Sequence, residues 1–378
     1  MTADVIIIGG GVIGAAISYY LSLEKVRVLV LEKGAVGQKA SQGAVGFLTI
    51  DSIPFAHDGL LRAALAGRRS YPALAAELEG RTGQGMNLEH CGSLRVARTE
   101  ADLSCLEREV RWHKDHVSSD IETLSVAELR RRWPDVEGVI AGGYFYSHDL
   151  QITSSGVVEA LRSAATGLGA VFVENAEMLS WQARGTSIGA VIAGGRPYEA
   201  ATFVLAAGAW TAGLASQIGL EAPVYPVRGQ LLIFETKERF LSCPMIVGGA
   251  DESYYLGPKA DGLYAGTTLE EVGFDESCTE EALERIGEET AQIAPRVREL
   301  PIKGSWAGLR PATRDNLPII GKAPGWDNLF LAAGHFRKGV LLAPWTGQTL
   351  ARLIMGRPSD IPIGDFSPSR FVAQIRKL

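Results

Sequence analysis

Apolar positions along this chain alternate between short unbroken runs and helical stripes. Val5-Ile6-Ile7-Ile8 is a run of β-branched residues, the pattern of a strand buried on both faces, and predicts a strand over 4–8. Gly9 to Gly14 reads as a turn and 15–22 as a helix. Val26-Arg27-Val28-Leu29-Val30-Leu31 is a second buried strand closing at Glu32-Lys33-Gly34. Together they form one βαβ unit with a right-handed crossover. Leu60, Leu61, Ala64, Leu65, Leu74 and Leu78 stripe a helix over 58–80 that Pro72 is expected to kink or split. Further helices are predicted over 103–115, 126–132, 153–168, 280–293 and 344–355. Buried runs at 170–173, 203–208 and 329–334 read as strands, the last two running directly into a glycine. The stretch 224–273 alternates, with strands near 229–235, 245–248, 253–257 and 262–268.

Parallel-type strands thus stand at the start, middle and end of the chain, and alternating strands lie between the last two groups. The simplest architecture is one α/β domain assembled from three separated segments, with a second domain inserted that carries a mostly antiparallel sheet.

Composition narrows the function. With 378 residues, 46% apolar and 21% charged, the chain can bury the cores of two domains or three. A net charge of −6 offers no basic footprint for nucleic acid. The densest basic run, Arg130-Arg131-Arg132, follows the capping-box pattern Ser125-Val126-Ala127-Glu128 and reads as the solvated last turn of a helix. Cys91, Cys105, Cys243 and Cys278 are scattered, which suits a reducing, cytoplasmic setting. His113 and His116 share a helical spacing but no acidic partner motif, so they read as a solvated helix face and no metal site is expected. No apolar run is long enough to span a bilayer, and no secretory leader is expected before the first strand.

Candidate chemistry lies at both ends. Gly9-Gly10-Gly11-Val12-Ile13-Gly14 matches GxGxxG after a strand and at the opening of a helix, with Glu32 eighteen residues beyond Gly14 at the end of the next strand. Gly9 permits the turn, Gly11 lets backbone approach a pyrophosphate, and Gly14 packs helix on strand. Glu32 is placed to accept from a ribose diol. FAD and NAD both use this fingerprint. A second small-residue stretch, 39–47, and the glycines ending two later strands, Gly208 and Gly334, favour a long cradle for a retained FAD, with an NAD-dependent dehydrogenase as the rival. Near the C-terminus, Trp306-Ala307-Gly308-Leu309-Arg310-Pro311 and Gly334-His335-Phe336-Arg337-Lys338-Gly339 set two arginines among apolar residues and glycines. Arginine is costly there unless it meets an anion, and its planar fork suits a carboxylate.

The pattern VIIIGGGVIGAAISYYL…VLVLEKG, then VLAAGAW, WAGLRPATRDNLPIIG and LFLAAGHFRKGVLLAPWTG, resembles the D-amino-acid oxidase superfamily of FAD-dependent oxidoreductases, and within it the bacterial glycine oxidases, over essentially the whole chain. The resemblance implies non-covalent FAD in a Rossmann-like domain over 1–80, 149–220 and 304–378, and a substrate domain over 81–148 and 221–303. It implies oxidation of glycine, sarcosine or small D-amino acids, with hydrogen peroxide formed from oxygen. In several members this serves the thiazole ring of thiamine.

By the same resemblance Arg310 matches the arginine that clamps the substrate carboxylate, Arg337 a more mobile second arginine, and Tyr255 a supporting hydroxyl. Leu269 stands where the family has a pocket methionine. Val12, Ile13, Glu32, Lys33, Ala40, Ser41, Val45, Gly46, Phe47, Met178 and the run His335, Phe336, Arg337, Lys338, Gly339, Val340 and Leu341 match FAD-contact positions. Ala40, Lys338 and the 43–47 run depart from the family's usual residues. Plainer readings stand beside these: Arg310 paired with Asp315 or Glu299, Arg337 as a surface arginine, and Tyr255 as sheet packing with Tyr254 on the opposite face. Catalysis is expected to be orientation of the Cα–H, with no obligatory side-chain base, and with backbone N–H groups at the helix after Gly339 favouring negative charge on the cofactor. A D-amino-acid dehydrogenase using a quinone, and a flavin-bound subunit that oxidises no amine itself, are the alternatives. A homo-oligomer is compatible with all of these.

Overall fold

In the computed structural model, which describes residues 2–50, 57–117, 120–248 and 254–371, the opening strand Thr2–Ile8 lies parallel between Val28–Leu31 and Arg196–Leu205. Val171–Val173 and Leu329–Ala333 extend this sheet on either side, also in parallel. Alternation divides its residues between two cores. Val5, Ile7, Val28, Val30 and Val204 face the helices Val12–Leu23, Asp58–Thr82, Ser154–Gly167 and Gly339–Ile354. Ile6, Ile8, Leu29, Leu31, Phe203 and Leu205 face Met178, Ile188 and Val191 of an antiparallel extension, Met178–Arg184 and Ser187–Ala193. The strands that carry these alternating faces come from three separated segments, as the pattern predicts.

A second eight-stranded sheet runs in the order Ile302–Thr313, Val224–Phe234, Gly262–Gly266, Tyr254–Lys259, Met245–Val247, Ser93–Ala97, Gly142–Tyr146 and Ile121–Leu124. It is antiparallel except where Met245–Val247 runs parallel to Ser93–Ala97. One face packs Leu94, Val96, Leu232, Met245, Leu256 and Leu263 against Trp133 and Ile286. The other face turns toward the first sheet.

Several expectations change. The boundary at 304 cuts a strand that the fold keeps whole: Ile302–Thr313 pairs along its length with Val224–Phe234, from Phe234 opposite Ile302 to Val224 opposite Thr313. The substrate-side sheet therefore keeps Arg310. The hairpin over 178–193 has no counterpart in the predicted strands. Pro72 lies inside an unbroken helix. The last helix starts at Gly339, five residues before Pro344. Pro344 cannot donate to the Val340 carbonyl, and that oxygen accepts from the Tyr71 hydroxyl instead, so the proline costs the helix no buried unpaired acceptor. His113 is buried against the Tyr146 hydroxyl at 3.2 Å, while His116 is on the solvated face. The capping box is formed, with Ser125 and Glu128 bonding each other's backbone N–H groups. Ser253, the first residue of one predicted strand, lies outside the described residues.

Candidate active site

A cavity of about 700 Å³ opens between the two sheets, and it can be built from its two ends. At the first end Gly9 turns with φ +108°, and a Cβ there would stand 2.4 Å from the Ala206 carbonyl oxygen. A Cβ on Gly14 would stand 1.9 Å from the Gly9 oxygen, so Gly14 serves helix packing and does not line the cavity. Glu32 accepts from the Gly10 N–H at 2.7 Å and the Gly34 N–H at 2.9 Å, which fixes its carboxylate at the rim of the turn. The Val12 N–H donates to the Ser41 hydroxyl at 3.0 Å, tying the small-residue stretch to the helix N-terminus. Gly9, Gly11, Val12, Ile13, Glu32, Lys33, Ala40, Ser41, Val45, Gly46, Phe47, Met178 and Gly208 all line this cavity. A cradle that a single Cβ would fill, with helix N–H groups at one end and a fixed carboxylate at the other, fits a dinucleotide.

The turn after Leu329–Ala333 closes the middle. His335, Phe336, Arg337, Gly339 and Val340 line the cavity. Lys338 and Leu341 are buried behind it, Leu341 in the helical core. The His335 imidazole accepts or donates to the Thr346 hydroxyl at 3.1 Å, and burial holds its pKa down to about 3, so the ring is neutral at working pH. Phe336 has φ +48°, a rare conformation for an aromatic residue, under the Arg337 guanidinium at 5.4 Å. Arg337 itself is exposed at the rim.

The other end is made by sheet register. Directly opposed residues share a face, so Arg310, Gly308 and Trp306 on one strand face the same way as Val227, Gly229 and Leu231 on the next. Leu231 then opposes Gly266, and Gly266 opposes Tyr255. The Arg310 guanidinium crosses over Gly229, where a Cβ would stand 1.7 Å from its Nη1. It donates to the Thr268 carbonyl at 3.2 Å and to the Thr267 hydroxyl at 2.8 Å. No carboxylate among the described residues pairs with it: Asp315 is held by Arg370 at 2.7 Å. Burial lowers the Arg310 pKa from its ordinary value, with Tyr255 acting in the opposite direction. The guanidinium stays charged across the working range, because it starts so high. The Tyr255 hydroxyl lies over Gly266, its ring meets Phe47 edge-on at 5.5 Å, and burial raises its pKa, so it stays a neutral donor. Tyr254 points to the opposite core, as alternation requires.

Leu269 does not line the cavity; it is 43% exposed. Thr268 turns inward, its hydroxyl accepting from Gln230 N–H at 3.0 Å and donating to Glu270 at 2.8 Å, and this sends the next side chain out. Residues that sequence reasoning missed are Trp306, Thr267, Gly229 and, at the far end of the cavity, Arg95 and Glu109. The Trp306 indole spans the two domains. A Cβ on Gly308 or on Gly43 would stand 1.9 Å or 1.8 Å from its ring. Gly308, two residues on and therefore on the same face, was the available signal for Trp306, and Arg95 alternating with Leu94 and Val96 was the signal for the distal end.

Comparison with known proteins agrees with this geometry. A glycine oxidase of Geobacillus kaustophilus is 32% identical over 375 residues, covering 98% of each chain, and the crystal structure of glycine oxidase from that organism superposes with a TM-score of 0.93 over 98% of this chain and 99% of that one. A bifunctional protein ThiO/ThiG of Trichormus variabilis is 31% identical over 380 residues, covering 99% of this chain and 56% of that protein. The FAD dependent oxidoreductase family matches residues 4–353, and with the dinucleotide cradle and the mixed sheets in place the chain belongs to that family.

Proposed function

We propose that this protein oxidises a small amino acid, glycine, sarcosine or a small D-amino acid, at Cα, giving the imino acid and passing the electrons to oxygen. The observation that carries the reading is Arg310: a charged guanidinium, drawn into a largely apolar cavity, seated over a glycine and bonded, among the described residues, to the neutral oxygens of Thr267 and Thr268 alone. A carboxylate is the complement that offsets the cost of its burial. Tyr255 adds a neutral donor and Arg337 a second, exposed cation at the rim.

The Gly9–Gly14 turn, Glu32, the 40–47 stretch, Met178 and the His335–Leu341 turn would hold FAD, which when bound supplies the two-electron acceptor. The chain itself contributes geometry. With the carboxylate fixed by Arg310 and Tyr255, the substrate has one way to present its Cα–H, so rate comes from orientation. Phe47, Leu231, Ile246 and Trp306 line the space around that point and limit water. The N-terminus of Gly339–Ile354 opens on the cavity, a field that favours added negative charge there. No described side chain stands as an obvious base, so the substrate amine enters neutral, and its lone pair closes the C=N bond as the Cα–H departs with its electron pair, which bound FAD would accept. The resulting imino acid hydrolyses in water or, as the resemblance implies for glycine, serves thiamine thiazole assembly. The four cysteines are free thiols, in keeping with a reducing, cytoplasmic setting. No described helix is long and apolar enough to cross a membrane.

Anaerobic mixing of the yellow holoenzyme with glycine, sarcosine, D-alanine and D-proline tests the proposal. Bleaching of the flavin by at least one of them, and peroxide in air, is the expected result. Turnover with a quinone or dye but without peroxide points to a dehydrogenase. No bleaching by any amino acid overturns the reading.

A further inference from the structure

Both partners of Arg310 among the described residues lie on one short segment, as the Thr267 hydroxyl and the Thr268 carbonyl. The direction of the guanidinium therefore depends on what holds that segment. Register shows it to be a bulge. Gly266 opposes Leu231 and Glu270 pairs with Arg228, so Gly229 and Gln230 on one strand face Thr267, Thr268 and Leu269 on the other. The extra residue re-aims the backbone, and consecutive residues can offer Arg310 a hydroxyl and a carbonyl. A bulge interrupts the ladder, and side chains here make the missing bonds.

Those bonds converge on Glu270. Its Oε2 accepts from the Thr268 hydroxyl at 2.8 Å, from Gln230 Nε2 at 2.9 Å and from Arg228 Nε at 3.0 Å, and Arg228 Nη2 reaches Oε1 at 3.4 Å. Gln230 is out of solvent, and its N–H donates to the Thr268 hydroxyl at 3.0 Å. Its side-chain amide also accepts from the Thr279 N–H at 2.7 Å and donates to the Thr279 hydroxyl at 3.2 Å. Arg310 can only donate, so the Thr267 hydroxyl meets it with a lone pair and sends its single proton elsewhere. The Gln230 carbonyl takes that proton at 3.0 Å; the Thr268 carbonyl is farther, at 3.3 Å, and already accepts from Arg310. Both acceptors of Arg310 are thus fixed through Gln230 and Glu270.

Neither Thr268 nor Glu270 lines the cavity. A chain that only had to leave the sheet could do so after Gly266 with its polar groups in water. Three donors gathered on one carboxylate oxygen instead immobilise the two residues that aim the guanidinium. We propose that Glu270 is a positioning residue for substrate binding, acting through the Thr268 hydroxyl and Gln230 to point Arg310 at the substrate carboxylate. This rests on Arg310 being the carboxylate-binding group.

The test is binding of acetate to the oxidised holoenzyme, read from the flavin difference spectrum, with acetamide as the neutral isostere. Arg310→Ala gives the reference loss. Glu270→Gln and Thr268→Val should each weaken acetate about tenfold, the worth of one charge-assisted hydrogen bond, and leave acetamide within about twofold. Thr268→Ser, which restores the hydroxyl, should bind acetate as wild type does. In the Arg310→Ala background Glu270→Gln should have no further effect on acetate, because the residue it acts through is gone. Thr268→Val leaves every ion pair intact and gives its answer even where Glu270→Gln fails to fold. A brace with no bearing on Arg310 would weaken acetate and acetamide by one common factor, or keep its full effect without Arg310. Either result, or wild-type acetate affinity in both variants, overturns the positioning role alone. Unchanged acetate affinity in Arg310→Ala overturns it together with the carboxylate site. Absence of flavin bleaching by any amino acid overturns the proposed oxidation and leaves the acetate comparison to decide the positioning role.

Discussion

The two ends of the cavity are made in different ways. The nucleotide end is a backbone device: Gly9, Gly14 and Gly46 stand where any Cβ would collide with a main-chain oxygen, and its parts fall mostly within the first fifty residues. The carboxylate end is a register device: Arg310, Gly229, Gly266 and Tyr255 come from four strands and meet because the register puts them on one face, with Arg310 opposite Val227, Gly229 opposite Gly308, and Gly266 opposite both Leu231 and Tyr255. A backbone device tolerates no side chain at all but is indifferent to identity elsewhere. A register device tolerates neighbours changing, provided the face and the gaps on it are kept. The first sets whether a cofactor is held; the second sets what reaches it.

The largest expected effect separates the two. Gly14→Val would push two methyl groups beyond a Cβ already 1.9 Å from the Gly9 oxygen, and nothing there can yield without opening the turn. The purified protein should be colourless or unfolded, read by its visible spectrum and by thermal melting. Arg310→Ala should leave the spectrum of the bound flavin in place while kcat/KM for any carboxylated substrate falls about a hundredfold or more, the loss of two charge-assisted hydrogen bonds. A colourless Arg310→Ala protein would show that the two ends are one device after all.

That division also explains what was readable beforehand. The Gly9–Gly14 turn and Glu32 follow from residue spacing, because a strand, a turn and a helix in sequence order dictate where the next strand ends. The α/β core followed for the same reason, down to the three segments. Arg310 stood out by chemistry, as a cation among apolar residues. Gly229 did not, because its meaning is the 1.7 Å it leaves for a side chain eighty-one residues away, a relation that exists only once Val224–Phe234 pairs with Ile302–Thr313. The misplaced domain boundary at 304 has the same origin: a long strand that enters one sheet while its sequence neighbours lead into another leaves no mark in hydrophobic period. Leu269 is expected in the pocket only by its match to a family position, and a matched position beyond the end of the strand Gly262–Gly266 does not fix where its side chain goes: here it is 43% exposed.

A smaller effect tests the gap directly. Gly229→Ala adds only a methyl group, yet the guanidinium must move off its bonds to Thr267 and Thr268. The loss in kcat/KM is expected at about tenfold, expressed mainly in KM, with melting temperature nearly unchanged. Arg310→Lys in the same assay sets the scale, since an ammonium keeps the charge but not the planar fork. If Gly229→Ala matches wild type, Arg310 is not positioned by that glycine and the carboxylate end is looser than its register implies.

The smallest effect probes the turn that joins the two ends. His335 is 3% exposed and bonds Thr346, and burial holds its pKa to about 3 against roughly 6.5 in an unfolded chain. The sign follows from proton counting. Above about pH 6.5 the ring is neutral folded and unfolded, so it contributes no pH dependence. As pH falls from 6.5 toward 3 the unfolded chain takes up a proton that the folded one refuses, and stability is lost at up to about 1.4 kcal/mol per pH unit. Asparagine at this position keeps a hydrogen-bonding atom for Thr346 and cannot titrate. Melting curves of the two holoenzymes should run together above pH 7 and separate below pH 6, with wild type falling faster and the carboxylate contributions common to both cancelling in the difference. Curves that stay parallel down to pH 4 would mean that His335 meets solvent, and that the space between cradle and carboxylate site is wetter than its walls indicate.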